Sequence, residues 1–293
     1  MHFLIDGRPI AEDQLGNIGD CYLRNGIFTV CDMGHKSGIG MAAKRILGAA
    51  LEVQSAGYAL YRRGTYGSFL GRPVSGKEEL KDTVDEIAAS GADFLKIINS
   101  GMVDIRGVGL VTEGGFSTEE LVALIEAARE HHLSVICHAN SDRAIRAAVD
   151  AGVASIEHGF FISPETLHVM AEKKVSWVPT IIALLSLSAA SAPAEKKNIE
   201  KIIESHLQSI TYAASIGVVL RVGTDSGSKG VSHGASFFDE LQLLQKAGLA
   251  LEQILSAACM GKEEVEKGNY LVVKEDFITA RRIETIFKEG KEL

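Results

Sequence analysis

Short runs of β-branched and aromatic residues alternate along the chain with longer runs in which apolar residues return every three or four positions. The short runs predict strands at 28–31, 51–54, 94–98, 134–137, 154–157, 176–179 and 218–222. Between them the helical spacing predicts helices at 77–89, 118–131, 142–150, 164–172 and 194–216. Ser117 with Glu120, and Ser75 with Glu78, have the spacing of capping boxes, while Ser163 places Pro164 in a first helical turn. Strand alternating with helix means parallel strands joined by crossovers, hence a sheet covered by helices. The fold class expected is α/β, a (β/α)8 TIM barrel. Seven strands precede Asp225 where a closed barrel takes eight, so strand 1 is expected to be mostly missing, its last residues surviving at 1–4. After helices at 237–246 and 251–259 the rhythm stops, and 270–274 and 283–287 read as strands of a small tail. The chain therefore divides into a barrel at 1–262 and C-terminal strands at 263–293.

Length agrees with one large barrel: 293 residues against the roughly 250 that such a domain needs. At 46% hydrophobic and 23% charged the chain can bury a sizeable core. A net charge of −8 without a basic stripe excludes nucleic acid as the expected partner. The longest apolar stretch, 181–192, is interrupted by serines and too short to span a bilayer, so no membrane association is expected. No basic-then-apolar leader opens the sequence. Cys21, Cys31, Cys137 and Cys259 are scattered, which fits unpaired thiols in a reducing, cytoplasmic setting.

In a parallel barrel the strand ends and the loops after them form the active-site face. Lys96 ends strand 4, His138 strand 5, His158 strand 6 and Asp225 strand 8. A single histidine after an apolar strand is most often a bonded core residue, and Asp225 alone reads equally well as a helix cap. Lys96 resists a bland reading, because an ammonium among Phe94, Leu95, Ile97 and Ile98 must find a partner or leave the core. Four such groups at the same end of four strands point to one site.

These residues resemble the strand-4 lysine, strand-5 and strand-6 histidines and strand-8 aspartate of the amidohydrolase superfamily. The stretches at 26–34 (GIFTVCDMG), 94–98 (FLKII), 151–159 (AGVASIEHG) and 223–225 (GTD) resemble its imidazolonepropionase and prolidase-like branch. His233 and Gly234 followed by ELQLL at 240–244 does too. The resemblance implies a two-metal site. A carbamate formed on Lys96 from CO2 would bridge both metals, and His138 and His158 would hold one of them. Asp225 would bind the other and take a proton from water. Two divalent ions per chain are implied, zinc first, with manganese, iron or nickel as substitutes. They would polarise a substrate carbonyl and activate water.

The chain departs from the family pattern at its start, where His2 matches the second histidine of a strand-1 His-x-His and the first is absent. The tail resembles one half of a β-sandwich whose other half would precede strand 1, so its strands are expected to lack partners. Asn140 stands where the branch often has a second histidine after His138, a change expected to touch substrate contacts or local bonding. His35, Arg62, Arg63, Tyr66 and His233 are the candidate substrate contacts, with Arg62, Arg63 and Tyr66 read as a loop after strand 3. Cys31, Cys137 and Trp177 read as packing residues, and His131, His132 and His206 as solvated ones. The function expected is hydrolysis of an amide or peptide C–N bond in a small substrate such as a dipeptide, an N-acyl amino acid or a cyclic amide. The competing reading is a truncated, catalytically impaired metal-binding barrel. A one-metal enzyme fits less well, since such a site needs no bridging lysine. A homo-oligomer is left open.

Overall fold

The computed structural model describes residues 1–5, 7–259 and 266–293. Its centre is a run of parallel strands. In chain order these are β3 (Thr29–Asp32), β4 (Glu52–Ser55), β5 (Ala59–Arg62), β6 (Gly71–Val74), β7 (Phe94–Ile98), β8 (Ser134–Ala139), β9 (Ser155–His158) and β10 (Ser176–Val178). Strand β3 pairs with β4, and β10-β9-β8-β7-β5-β6 form one sheet, all parallel. Strand 3 of the barrel is thus two pieces, β4 facing β3 and β5 facing β7. The turn between them includes Gly57, whose carbonyl accepts from His35 N at 3.0 Å. The sequence pattern does not show β5 or β6.

The eighth place is filled by residues 218–222 without a full ladder: Trp177 N donates to Val219 O at 2.8 Å and Arg221 N to Trp177 O at 2.9 Å. The first place is filled by residues 1–3. Met33 N donates to Met1 O and His2 N to Ser226 O, both at 2.8 Å, and the Met1 ammonium donates to Cys31 O at 3.0 Å. A short piece of backbone therefore bridges strand 2 and the loop after strand 8, at the end of the barrel where the polar strand-end residues lie. A small hairpin, β1 (Leu4–Ile5) with β2 (Arg8–Pro9), follows it.

Helices cover the outside: α1 (Leu15–Arg24), α2 (Ile39–Leu47), α3 (Lys77–Ala89), α4 (Thr118–Glu130), α5 (Asp142–Ala151), α6 (Pro164–Lys173), α7 (Ile181–Ser186), α8 (Pro193–Ser215), α9 (Ser236–Lys246) and α10 (Leu251–Ala258). The helix α4 starts with the predicted capping box, Ser117 Oγ accepting from Glu120 N at 3.2 Å and Glu120 accepting from Ser117 N at 2.8 Å. Ser163 caps α6 ahead of Pro164 as expected. At α3 the expectation shifts by one residue. Its N-cap is Gly76, and Glu79 rather than Glu78 accepts from Ser75 N at 2.9 Å. The large core lies between strands and helices, with Leu60, Leu95, Ile97, Leu121, Ile145 and Trp177 wholly enclosed. A second cluster of Phe3, Leu15, Val30, Ile39 and Leu51 packs α1 and α2 onto β3 and β4.

In the tail, β11 (Tyr270–Val272), β12 (Thr285–Lys288) and β13 (Lys291–Glu292) pair with one another antiparallel, with α11 (Phe277–Ala280) between the first two. The expectation that these strands lack partners is corrected, since each finds one within the tail. The expected domain boundary at 262–263 lies outside the described residues.

Candidate active site

Lys96, expected at the end of its strand, is corrected to the middle residue of β7, level with Ala59 and Ile136 on the flanking strands, and is only 3% exposed. Among the described residues no acceptor lies within hydrogen-bonding or ion-pair distance of its ammonium. Burial pulls its pKa down, with Glu157 opposing. His138 is the last residue but one of β8 and His158 the last of β9, their rings 4.5 Å apart and edge to face. His138 Nε2 lies 3.1 Å from Gly101 O, which can only accept, so this nitrogen carries the proton and Nδ1 is bare. His158 Nδ1 lies 2.7 Å from Thr180 Oγ1. That hydroxyl gives its own proton to Pro179 O at 2.8 Å, so it accepts from Nδ1 and leaves Nε2 bare. His158 has φ +69°, a left-handed conformation uncommon outside glycine, and so does Asp225 at +56°.

His2 is held the same way. Its Nδ1 donates to Gly34 O at 3.0 Å, and its Nε2 lies 3.5 Å from Asp225 Oδ1. Burial pushes His2 down to about 4, so at neutral pH the two form no salt bridge. Burial likewise holds His138 and His158 well below the ordinary imidazole range. Asp225 Oδ2 accepts from Ser228 Oγ at 2.7 Å. Asp32, wholly buried, accepts from Gly34 N at 3.2 Å and from Ser55 Oγ at 2.8 Å, shaping the turn whose carbonyl orients His2. Three neutral imidazoles each have one nitrogen spent on protein and one free. They line one cavity of about 1230 Å³ together with Lys96, Asp225 and Tyr66.

The sequence model of the amidohydrolase family matches residues 19–265, most of the chain. The chain belongs to the amidohydrolase family. Curated relatives include an uncharacterized protein of Mycobacterium tuberculosis, 28% identical over 209 residues (70% of this chain, 55% of the relative). Another is ochratoxinase of Aspergillus niger, 28% identical over 181 residues (57% of this chain, 38% of the relative). The chain thus spans about half the length of these relatives, or less. Among solved structures, a Xaa-Pro dipeptidase with bound methionine superposes with a TM-score of 0.76 at 21% identity, covering 95% of this chain and 78% of that one. The A. niger ochratoxinase gives 0.76 at 21%, covering 96% and 75%. These likenesses show the fold, a TIM barrel as the strand pattern predicts.

An amidohydrolase barrel implies divalent metal, and the donor chemistry here fits one. Metals take neutral imidazole whose other nitrogen is anchored, which describes His2, His138 and His158. Among the described residues, however, no three histidine, cysteine or carboxylate side chains close on a single point. The groups stand as two pairs, His138 with His158 and His2 with Asp225, and Lys96 lines the same cavity.

The remaining candidates separate clearly. Tyr66 faces the site, its ring 5.6 Å from His138 and 5.5 Å from Phe69. Arg62 and Arg63 do not line the cavity: Arg62 ends β5 rather than lying in a loop, and the two arginines pair with Glu120 at 3.3 Å and Glu79 at 2.6 Å on the surface. His35 Nδ1 accepts from Ser37 N at 3.1 Å in a local turn. His233 spends both ring nitrogens on structure, Nδ1 with Tyr22 Oη and Nε2 with Leu4 O, each at 2.8 Å, tying residue 4 to the loop after strand 8. Asn140 serves local bonding, donating to Gly101 O at 3.2 Å and accepting from Phe160 N at 3.3 Å. His206 is corrected from solvated to buried: it is 3% exposed and stacks on Phe160 at 4.0 Å. Cys137 and Trp177 are buried as expected, Cys31 half-buried. Glu157, 5% exposed, is not among the sequence candidates, although the signal that marks Lys96, a charge inside an apolar strand, marks it equally.

Proposed function

We propose that this chain is a metal-dependent amidohydrolase acting on an amide or peptide C–N bond of a small substrate: a dipeptide, an N-acyl amino acid or a cyclic amide. The observation that carries the reading is the convergence on one cavity of a partnerless buried lysine, an aspartate and three imidazoles each with one bare nitrogen. His138 and His158 would hold one metal, and His2 and Asp225 the other. Burial lowers the pKa of Lys96 and so favours its neutral amine, the form to which CO2 would add with loss of a proton to give a carbamate able to hold metal. A divalent ion, zinc first among candidates, supplies Lewis acidity toward the carbonyl and lowers the pKa of water. Asp225 accepts the proton of the attacking water and returns it to the leaving nitrogen. Tyr66 and Phe69 wall one side of the substrate space. Four free cysteines support a reducing, cytoplasmic setting, and among the described residues no helix is long and apolar enough to cross a membrane.

Turnover of a panel of dipeptides, N-acyl amino acids and cyclic amides, with zinc, manganese or nickel added to metal-free protein, tests the reading. Hydrolysis that vanishes in Asp225→Asn supports it, and no hydrolysis by any metal form rejects it. The second reading, a metal-binding barrel without turnover, is favoured by the separation of the donors into two pairs. Bound metal in elemental analysis with no turnover would select it.

A further inference from the structure

The loop that follows β10, Pro179 to Ile182, is gripped from two helices that lie far away in sequence. From α9, the carboxylate of Glu240 accepts from Ile181 N at 2.9 Å with one oxygen and from Ile182 N at 2.8 Å with the other. From α8, His206 Nε2 donates to Pro179 O at 3.2 Å. Glu240 is fully enclosed, and among the described residues no cation pairs with it. The amides it engages are the first of α7, where unsatisfied N–H groups and the helix dipole favour an acceptor. A buried carboxylate without a counter-ion is a costly choice for a structural cap, and it points to a specific demand at this loop.

That demand is at Thr180, between the two gripped positions. Thr180 has φ +50° and ψ +45°, a left-handed conformation that a β-branched residue adopts only when its surroundings force it. In that conformation its buried hydroxyl reaches His158 Nδ1 at 2.7 Å. We infer that Glu240 is a positioning residue for His158: by bonding the amides of Ile181 and Ile182 it holds Thr180 where its hydroxyl fixes the imidazole with Nδ1 protonated and Nε2 bare. The chain of contacts is Glu240, the α7 amides, the Thr180 hydroxyl and the His158 ring, and Glu240 itself does not line the cavity. It rests on the proposed function only in giving the bare Nε2 a task as a metal ligand.

The test separates the two. Metal-free protein carrying 15N-labelled histidine reports ring tautomers by NMR, and His158→Gln identifies the His158 signals by their loss. Wild type should show the Nδ1-protonated form. Glu240→Gln keeps the volume but turns an NH2 group toward one of the amides, and Thr180→Val removes only the hydroxyl. Each should move the His158 signals toward a mixture of tautomers, and the double variant should go no further than the single ones. Zinc affinity, measured by competition with a chelator, should fall about 10- to 100-fold in each. Leu241→Ala, a core truncation next door on α9, calibrates plain destabilisation and should leave the tautomer unchanged.

Glu240→Gln signals that match wild type overturn the inference, as does a tautomer change of equal size in Leu241→Ala. If Glu240→Gln fails to fold, Thr180→Val and Glu240→Asp decide: His158 signals unmoved in both overturn it. Wild type that shows the expected tautomer but neither binds metal nor turns over substrate rejects the hydrolase reading while leaving the positioning role intact.

Discussion

The indole of Trp177 donates its Nε1–H to the backbone carbonyl of His158 at 2.9 Å, fixing the end of one barrel strand from the next. The close approach depends on Gly159, since a Cβ there would lie 2.3 Å from the indole nitrogen, at a φ of +70°. Trp177→Phe should therefore lower stability by about 1–2 kcal/mol through the lost hydrogen bond. Gly159→Ala should cost more, because both the contact and the backbone conformation resist the methyl group. Urea unfolding monitored by circular dichroism measures both. Equal or smaller loss in Gly159→Ala would show that the strand end relaxes freely.

Lys96 should trade stability against metal. Its ammonium has no described partner, so Lys96→Met should stabilise the metal-free protein, on the order of 2 kcal/mol, while removing bound metal and activity. Lys96→Ala should also lose both, and short carboxylic acids should restore part of each by supplying the missing oxygens. Calorimetric melting of the metal-free proteins and elemental analysis decide the matter. Wild-type metal content in either variant would exclude a ligand role for this lysine.

The two groups gripping the loop after β10 should give opposite pH dependences. Burial lowers His206 from 6.5 to about 4, so the unfolded chain takes up this proton first. Its contribution is fully present above pH 6.5 and fades toward pH 4, by about 3 kcal/mol. Burial raises Glu240 from 4.5 to about 7, so here the native state holds the proton longer. Its contribution is fully present below pH 4.5 and fades as pH rises through 7, again by about 3 kcal/mol. His206→Phe should flatten the acid side of the stability profile and Glu240→Gln the neutral side. Denaturant midpoints from pH 4 to 8 that keep the wild-type shape in both variants would contradict these assignments.

The wall formed by Tyr66 and Phe69 should set a preference for substrates with an apolar side chain. Phe69 is 44% exposed and lines the cavity, leaving a large apolar face for a substrate to cover. Phe69→Ala should raise KM about 5- to 10-fold for leucine- or phenylalanine-containing substrates and leave glycine counterparts unchanged, the range expected for a lost apolar contact. A uniform effect across the panel would place substrate elsewhere.

Arg62→Ala and Arg63→Ala should change neither turnover nor melting temperature measurably, because their ion pairs lie on the surface. A large rise in KM for carboxylate-bearing substrates in either variant would bring the end of β5 or the loop after it back into the site.

The order of the strands other than β5 and β6, and the lysine, two histidines and aspartate that they or the loops after them carry, could be read from the sequence because period and position suffice there. Other features had local signals that were weaker than their competitors. β5 is followed by Arg63 and Gly64 and reads as a turn, since pairing with β7 rather than local propensity makes it a strand. His206 looks solvated beside Glu204 and Ser205, yet it falls on the buried stripe of Ile199, Ile202, Ile203 and Ile210. Glu240 sits likewise on the face of Phe238, Leu241 and Leu244. What no local pattern holds is the partner: Glu240 meets Ile181 across 59 residues of chain.

His158, Thr180 and Asp225 all keep a backbone conformation that glycine or asparagine would adopt at lower cost. A library of variants selected for heat resistance alone would therefore enrich those two residues at these three positions, each replacement gaining on the order of 1 kcal/mol. Selection for thermal tolerance would dismantle the proposed site before it improved the scaffold. Any directed-evolution scheme for this barrel has to keep positions 158, 180 and 225 fixed, or couple survival to turnover.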